Sequence, residues 1–388
     1  MNVEVIYVDH AATSPLHPDV LEKMLPYYQT LFGNPSSIHQ VGRQARQALD
    51  QARSRLASLF AVSEQTLVFT SGGTEADNMA IIGYALENEN KGKHIITSQI
   101  EHHAVLHACE ELEKRGFEVT YLPVDETGRV RLNDVQKSLR NDTILVTLMF
   151  GNNEVGTIQP IKEIGGLIEN HQAVFHTDAV QACGGINLKL DELKIDMLSV
   201  SAHKINGPKG IGLLYIRNGV KVKPVLFGGE QEKKRRAGTE NVAAIVGFAK
   251  ALELALESMT KRQELYQQFA QILTDTWLKE KVEFMINGHQ HERLPHVLNV
   301  SFPGVNIESL LMNLDLAGIC ASSGSACTAG SIEPSHVLVA MFGQATERIQ
   351  SAVRFSFGLG NTIEEIEHVA SQTAQIVKRL GQQKEFIS

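Results

Sequence analysis

The feature that most constrains the fold is an alternation of helix-like and strand-like segments through the first half of the 388-residue chain. Residues 42–61 repeat Ala and Leu at helical spacing, and the short apolar run TLVFT follows them. The same order then recurs, with the strand-like runs HIITSQ, FEVTYLPV, TILVTLMF and AVFHTDA separated by the helix-like segments HAVLHACEELEKRG, LNDVQKSL and IKEIGGLIENH. Such alternation predicts an α/β fold whose mostly parallel central sheet is flanked by helices.

The pattern changes at DMLSVSAHK and IGLLYIRNG, two strand-like runs that are joined by a Gly/Pro turn with no helix between them. This arrangement predicts a hairpin at an edge of the sheet. The long apolar segment VAAIVGFAKALELALESM follows, and shorter mixed elements lead to a final helix. We therefore predict a large α/β domain over residues 16–257 and a smaller α+β domain from residues 1–15 and 258–388.

Charge and cysteine content narrow the classes of function. The net charge of −8 gives no general attraction to phosphate backbones or anionic membranes, so neither nucleic acid nor membrane is an expected partner. The cysteines Cys109, Cys183, Cys320 and Cys327 lack CxxC spacing, which argues against a disulfide framework and a thiolate zinc site. The sequence shows no signal-peptide pattern and no apolar run that could span a bilayer, and we expect a cytoplasmic location.

Ligands of an open parallel sheet bind at the carboxyl ends of its strands, so the residues that follow each strand are the candidate site. SGGTEADN follows TLVFT, and its glycines would let the backbone approach a ligand closely. Thr74 would open a helix whose free N–H groups suit a phosphate. The alternative is an ordinary glycine turn with Thr74 as a helix N-cap, and this segment alone leaves both interpretations open.

Two further strand ends carry a carboxylate and a lysine. Asp178 follows AVFHT, and Lys204 lies in AHKING after DMLSVS. A lysine amine can form a Schiff base with an aldehyde, and a buried carboxylate can keep a pyridine nitrogen protonated; pyridoxal phosphate (PLP) needs both. Each residue has an ordinary alternative, a helix cap for Asp178 and a solvated loop residue for Lys204. Their joint placement favours a PLP site.

Other motifs in the chain give weaker signals. HKINGPKGIG lacks the GK[ST] ending of a nucleotide P-loop. EHHAVLH places His103 and His107 one helical turn apart, but no HExxH motif or third ligand accompanies them, so we predict structural roles and no metal. The basic run 233–236 is predicted to be a solvated loop, with a contact to an acidic partner or RNA as the alternative.

A series of motifs along nearly the entire chain resembles the class V, fold-type I PLP enzymes, and among them the NifS/IscS-like cysteine desulfurases. The motifs, in chain order, are YVDHAATSP, FGNPSSIH, FTSGGTEADN, EHHAVL, NNEVGTIQP, HTDAVQ, SAHKINGPKG, RRAGTEN, SSGSACT and VRFSFG. The resemblance implies a fold-type I PLP-dependent transferase with PLP as cofactor. It also implies a homodimer.

Roles for individual residues follow from the same resemblance. Lys204 would bind the cofactor covalently and later move protons, and His102 would stack on its ring. Asp178 would pair with the ring nitrogen, and Gln181 would hydrogen-bond the ring hydroxyl. The other implied residues are Gly73, Thr74, Ser201 and His203 around the phosphate, Thr239 reaching a phosphate of the neighbouring subunit, and Asn153 and Arg354 on the substrate carboxylate.

The resemblance also implies the reaction. The Cys327 thiolate would attack the sulfur of L-cysteine, giving L-alanine and a persulfide that passes to an acceptor protein, either an iron-sulfur scaffold or a tRNA-thiolation enzyme. Cys327 would lie on a mobile loop of about residues 321–336. Two alternatives stay open: a related class V enzyme, such as a selenocysteine lyase or an aminotransferase, in which Cys327 is dispensable, and a non-catalytic sulfur-relay subunit.

Overall fold

The computed structural model describes residues 5–323 and 334–385 of the chain, so Cys327 lies outside the described residues. The strands are β1 (Ile6–Tyr7), β2 (Leu67–Thr70), β3 (His94–Ser98), β4 (Glu118–Leu122), β5 (Thr143–Thr147), β6 (Val174–Asp178), β7 (Met197–Ser201), β8 (Gly212–Ile216), β9 (Met285–Asn287), β10 (Val297–Ser301), β11 (Ile319–Cys320) and β12 (Ala352–Ser356).

The helices are α1 (Pro18–Gln29), α2 (Gln40–Phe60), α3 (Gly73–Asn78), α4 (Tyr84–Asn88), α5 (His103–Lys114), α6 (Leu132–Ser138), α7 (Ile161–Ile168), α8 (Leu190–Leu193), α9 (Gln231–Lys234), α10 (Val242–Glu257), α11 (Met259–Lys279), α12 (Ile307–Leu316), α13 (His336–Phe342), α14 (Glu347–Ser351) and α15 (Ile363–Glu385). A π-helical turn, Met79–Gly83, joins α3 to α4.

The central element is a seven-stranded sheet with the strand order β2-β8-β7-β6-β5-β3-β4. Pairing is parallel from β7 through β6, β5 and β3 to β4, and antiparallel for β7–β8 and β8–β2. The prediction of a mostly parallel sheet flanked by helices is therefore confirmed. Strands β5 to β8 are buried along their whole length, which explains why each has adjacent apolar residues that point to opposite faces.

Side chains alternate across this sheet and feed separate apolar clusters. Phe69 and Leu213 pack in one cluster with α2, α10 and the α7 side chains, whereas their neighbours Val68 and Leu214 pack in another with α4 and α5. The alternation follows from the two-residue period of a strand. The central strands β5 to β8 are covered on both faces, so ligands reach them at their ends.

The predicted hairpin is present, because β7 and β8 pair antiparallel from Met197↔Ile216 to Ser201↔Gly212. Its predicted position at the sheet edge is wrong, because β2 pairs antiparallel with the outer side of β8 and forms the edge itself. β2 lies far earlier in the chain, and its pairing is decided by burial of its apolar residues against β8. The local sequence of the hairpin carries no signal for that long-range choice.

The C-terminal part of the chain has its own core. An antiparallel sheet in the order β12-β10-β9 packs against α11, α12 and α15, and Trp277 lies at the centre of the cluster beside Phe302 and Phe355. The N-terminal residues Ile6 and Val8 join this cluster, and β1 pairs with β11. Helix α10 packs on α1 and α2, whereas α11 packs on α15. The domain boundaries themselves stay a prediction.

Candidate active site

The carboxyl ends of β2, β3, β5, β6 and β7 meet at one edge of the large sheet. β2 belongs to this group because it runs antiparallel to β8, which itself runs antiparallel to β7. A cavity of about 360 Å³ lies at this edge, within the size range of small-molecule sites. The predicted site residues that line it are Gly73, Thr74, His102, Asn153, Asp178, Gln181, Ser201, His203, Lys204 and Arg354.

Lys204 lies in a short 3₁₀ turn, Ala202–Lys204, directly after β7. Its amine donates hydrogen bonds to the main-chain carbonyls of Ala11 (2.5 Å) and Ala12 (2.7 Å), in the segment between β1 and α1. Both alanines also line the cavity. The lysine is therefore directed into the cavity and held by backbone acceptors, so the alternative of a solvated loop residue is not what the structure shows.

Asp178 is the last residue of β6 and is buried at the base of the cavity. Its Oδ1 accepts a hydrogen bond from the Val180 N–H at 2.9 Å within a turn. No helix begins at this point of the described chain, so the predicted alternative of a helix cap is wrong. The second carboxylate oxygen stays available for a ligand. Burial raises the pKa of Asp178 to about 6, and the Val180 N–H and the Lys204 charge oppose that rise. A bound cation such as a pyridinium would favour the ionised form.

His102 is the N-cap of α5, and its Nδ1 accepts a hydrogen bond from the Ala104 N–H at 3.1 Å. Burial, followed by the positive charge of Lys204, lowers the pKa of His102 to about 4. The imidazole is therefore neutral near pH 7. Because Nδ1 is an acceptor, the single ring proton lies on Nε2.

The other end of the cavity offers hydrogen-bond donors to an anion. Helix α3 begins at Gly73, and its N-cap is Gly72, which makes no side-chain capping bond, so the predicted alternative of Thr74 as N-cap is wrong. A Cβ at Gly73 would lie 2.7 Å from Val180 Cγ2, so only glycine allows this close approach of the turn. The side chains of Thr74, Ser201 and His203 line the same region. These donors fit a phosphate group.

Arg354 lies on β12 and is 2% exposed. Its Nη2 donates to Asp9 Oδ1 at 2.7 Å, and its Nη1 donates to the main-chain carbonyl of Asn153 at 2.8 Å. Asn153 therefore contacts Arg354 through its backbone, while both residues line the cavity. The guanidinium is fixed by two partners and retains N–H donors for a carboxylate.

Two predicted site residues do not join this group. Thr239 is exposed on the segment before α10 and is not among the residues that line the cavity. Cys327, with most of its predicted loop, lies outside the described residues. The basic run 233–236 is only partly solvated. Lys233 and Lys234 are exposed. Arg235 donates a hydrogen bond to the Leu67 carbonyl at 3.2 Å, and Arg236 forms an ion pair with Glu75 at 2.7 Å.

The structure adds acidic residues to the site that the sequence did not assign. Asp77 lines the cavity and Glu101 lies beside it; both are buried, and burial is the main cause of their raised pKa values. Glu101, with a pKa of about 8, accepts hydrogen bonds from Ser98 Oγ (2.5 Å) and the Met149 N–H (2.9 Å). Asp9, the Arg354 partner, stands in the quoted motif YVDHAATSP, which was the available signal for it.

His103 of EHHAVLH lies close to two other histidine rings. His103 stacks on His107 with ring centroids 5.1 Å apart and lies 4.8 Å from the His336 ring. Within residues 5–323 and 334–385, His, Cys, Asp and Glu form no group of three or more that could hold a metal ion. In the same residues, no helix combines the length and apolar character that crossing a membrane requires.

A lysine, a buried acid on the neighbouring strand and a glycine turn of free N–H groups define the site as that of a fold-type I PLP enzyme. Comparisons with known proteins agree. The aminotransferase class-V family matches residues 6–369. The chain is 57% identical over 378 residues to the putative cysteine desulfurase IscS 1 of Bacillus subtilis, covering 97% of this chain and 100% of that protein.

More distant relatives give the same result. The cysteine desulfurase IscS of Methanosarcina thermophila is 49% identical over 97% of this chain and 93% of its own length. A solved NifS-like protein matches with a TM-score of 0.91 at 36% identity, covering 97% of this chain and 100% of that one. The chain therefore belongs to the class-V aminotransferase family, and within it to the NifS/IscS-like cysteine desulfurases. It is a PLP-dependent enzyme of the sulfurtransferase type.

Proposed function

We propose that this enzyme removes sulfur from L-cysteine, leaving L-alanine and a persulfide on Cys327. The observation that carries the proposal is the convergence of Lys204, Asp178 and Arg354 in one cavity, where three groups of different chemistry face the same space. When bound there, PLP supplies an aldehyde that condenses with amines and a ring that accepts electrons from the substrate α-carbon.

The residues of the chain supply the remaining steps. The Lys204 amine would hold the cofactor and, once free of it, would move a proton at the substrate α-carbon. The carbonyls of Ala11 and Ala12, which bind that amine at 2.5 and 2.7 Å, would receive it once it is displaced. The buried Asp178 carboxylate would keep the ring nitrogen protonated. Arg354 binds the substrate carboxylate through two N–H donors, which orients the reacting carbon.

Sulfur transfer requires a thiolate. As the Cys327 Sγ bonds to the substrate sulfur, the substrate Cβ–Sγ bond breaks and the carbon skeleton takes up a proton to leave as L-alanine. The other cysteines are poor nucleophiles, since burial raises the pKa of Cys109, of Cys320 and, to about 12, of Cys183. Their thiols stay protonated at neutral pH, which supports Cys327 as the acceptor of sulfur.

A persulfide assay tests this function directly. The PLP-loaded wild type, incubated with L-cysteine, should form L-alanine and a mass increase of one sulfur atom on the peptide that contains Cys327. Cys327→Ser should bind L-cysteine and give the same change in cofactor absorbance but no persulfide. Full sulfur release by Cys327→Ser would support a lyase instead, and absence of any reaction of wild type with L-cysteine would support a non-catalytic subunit.

The proposed homodimer rests on exposed apolar side chains and on Thr239. Tyr28 on α1 is 60% exposed, and Phe32 and Ile38 just beyond it are 73% and 90% exposed. Large apolar side chains that are this exposed favour a protein partner, here a second copy. Thr239 would then reach the phosphate in the site of its partner.

Subunit mixing tests this arrangement. Lys204→Ala and Thr239→Glu chains should each be inactive, because one lacks the amine and the other places a carboxylate against the phosphate. Mixed dimers should regain activity, since one of their two sites would combine an intact Lys204 with an intact Thr239. Recovery of no activity from mixtures, or a monomeric mass by light scattering, would contradict the proposal.

The sulfur acceptor is proposed to be a protein, either an iron-sulfur scaffold or a tRNA-thiolation enzyme, and the compartment to be the cytoplasm, where thiols stay reduced. Loading Cys327 from ³⁵S-labelled L-cysteine and offering each purified acceptor class separately distinguishes them. Label should move to one acceptor and leave the enzyme. Retention of all label on the enzyme with both acceptors would contradict the proposal.

A further inference from the structure

The hydrogen bonds of the Gln181 side chain determine its orientation. One polar atom of the Gln181 side-chain amide lies 2.9 Å from the main-chain carbonyl oxygen of Ala11. A carbonyl oxygen can only accept, so the amide nitrogen must face it and the amide oxygen must face the other way. The same carbonyl also accepts from the Lys204 amine at 2.5 Å, which uses both of its lone pairs. Ala11 thus joins the catalytic lysine to Gln181.

The amide oxygen of Gln181 faces His296, whose Nε2 lies 3.3 Å away. Burial is the first cause that lowers the pKa of His296 to about 3, and the charges of Arg262, His10, Arg354 and Lys204 add to it. A neutral imidazole carries one ring proton. Because Oε1 can only accept, this proton lies on Nε2 and points at Gln181.

Gln181 and His296 meet between two cavities. Gln181 and Lys204 line the cofactor cavity and, on their other side, a smaller cavity of about 40 Å³ that His296 and His10 line. His296 precedes β10 and belongs to the C-terminal part of the chain. His296 therefore contacts the Gln181 amide from the side of the smaller cavity. The side of Gln181 that faces the cofactor cavity stays open.

We propose that His296 is a positioning residue that, with the Ala11 carbonyl, fixes the Gln181 amide so that its second N–H faces the ring hydroxyl of the cofactor. A flipped amide would place oxygen against the Ala11 carbonyl and nitrogen against the His296 N–H, which are two repulsive contacts. An N–H facing the ring hydroxyl favours its ionised form. This role rests on the proposed function, because Gln181 has a ring hydroxyl to bind only if the cavity holds PLP.

The experiment compares His296→Leu, which removes the N–H donor, with His296→Gln, whose amide nitrogen can replace Nε2. Apo-protein is titrated with PLP, and the absorbance of the loaded protein is then followed against pH. His296→Leu should weaken PLP binding by about threefold to tenfold, the effect of one hydrogen bond, and should move the titration midpoint upward by about 0.5 to 1 pH unit. His296→Gln should restore most of both values.

Two further comparisons separate positioning from general damage. In a Gln181→Leu background, His296→Leu should have no additional effect, since the group it orients is gone. His94→Leu is the matched control: His94 is fully buried and bonded to Thr143 and Thr120 at 2.7 and 2.8 Å, but it lies at the opposite end of β3. That variant should leave PLP binding unchanged even if it lowers the melting temperature.

The outcomes distinguish this role from the proposed function. A wild type that does not bind PLP would overturn the function. A wild type that binds PLP, with His296→Leu indistinguishable from it or with an equal loss in the Gln181→Leu background, would overturn the role of His296 alone. If His296→Leu does not fold, ¹⁵N NMR of the wild-type apo-protein decides: a neutral His296 with its proton on Nε2 supports the role, and a proton on Nδ1 refutes it.

Discussion

Replacement of Arg354 by alanine should abolish recognition of the substrate carboxylate with little effect on PLP binding. Arg354 is 2% exposed and held by Asp9 Oδ1 and the Asn153 carbonyl at 2.7 and 2.8 Å, so it does not have to be ordered when substrate binds. A guanidinium has five N–H donors, and these two partners use two of them. Among the described residues, its buried Nε has no hydrogen-bond partner.

The size of the effect follows from those free donors. Two charge-assisted hydrogen bonds to a carboxylate contribute about 1.5–3 kcal/mol each, or about 3–6 kcal/mol together. Since about 1.4 kcal/mol is a factor of ten, Arg354→Ala should weaken L-cysteine binding by at least about 100-fold. Arg354→Lys should recover only part of this loss, because an ammonium lacks the planar pair of donors.

The assay uses the Cys327→Ser background, in which binding is separated from sulfur transfer. L-cysteine is compared with cysteamine, which lacks only the carboxylate, by the change in cofactor absorbance on binding. With Arg354 present, L-cysteine should bind at least about 100-fold more tightly than cysteamine; in Arg354→Ala the two should bind alike. Asp9→Asn, which keeps the guanidinium but removes its anionic partner, should give an intermediate ratio. An unchanged preference for L-cysteine in Arg354→Ala would refute the assigned role.

Three further predictions address other parts of the site. Lys204→Ala should lose bound PLP on dialysis and lack the visible absorbance of the wild type; retention of both would contradict covalent attachment. Cys327→Ser, assayed with excess L-cysteine, should form no L-alanine, and sustained turnover would exclude Cys327 as the sulfur acceptor. Glu101→Gln should stabilise the apo-protein at alkaline pH. Burial raises the pKa of Glu101 from 4.5 to about 8, so the folded wild type binds this proton more tightly and loses stability as pH rises from about 4.5 through 8. The loss is about 1.4 kcal/mol per pH unit in that window. Melting temperatures of wild type and Glu101→Gln should therefore diverge between pH 5 and 8, and parallel curves would contradict a protonated Glu101.

Much of the fold was predictable because its signals are local. The strands β5 to β7 are buried along their length, and each contains adjacent apolar residues, ILV in β5, VF in β6 and ML in β7. Placement of Asp178 and Lys204 in one site was predictable for a related reason, since parallel strands end at the same edge of their sheet. The residue types at those ends then restricted the chemistry to an amine beside a carboxylate.

The roles of individual residues, in contrast, came only from the resemblance of their motifs to a known family. Their positions in the cavity are visible only in the folded chain. It brings Gly73, Thr74 and Ser201 to one end of the cavity, whereas Thr239 in a single chain stays exposed and apart. In the proposed dimer, the role of Thr239 depends on a partner surface, which no local pattern encodes. The pKa values of Glu101 and His102 likewise depend on burial, which exists only in the folded chain.

The sequence by itself determined the alternation of elements, the presence of the β7–β8 hairpin and the lysine and acid at the strand ends. Only the tertiary structure decided that β2 pairs outside β8, that Asp9 holds Arg354 across 345 positions, and that Ala11 accepts from both Lys204 and Gln181. The physical reason is that local periodicity reports which face of an element is buried, but not against which element. Backbone carbonyls such as that of Ala11 are identical at every position, so only the fold gives them a specific role.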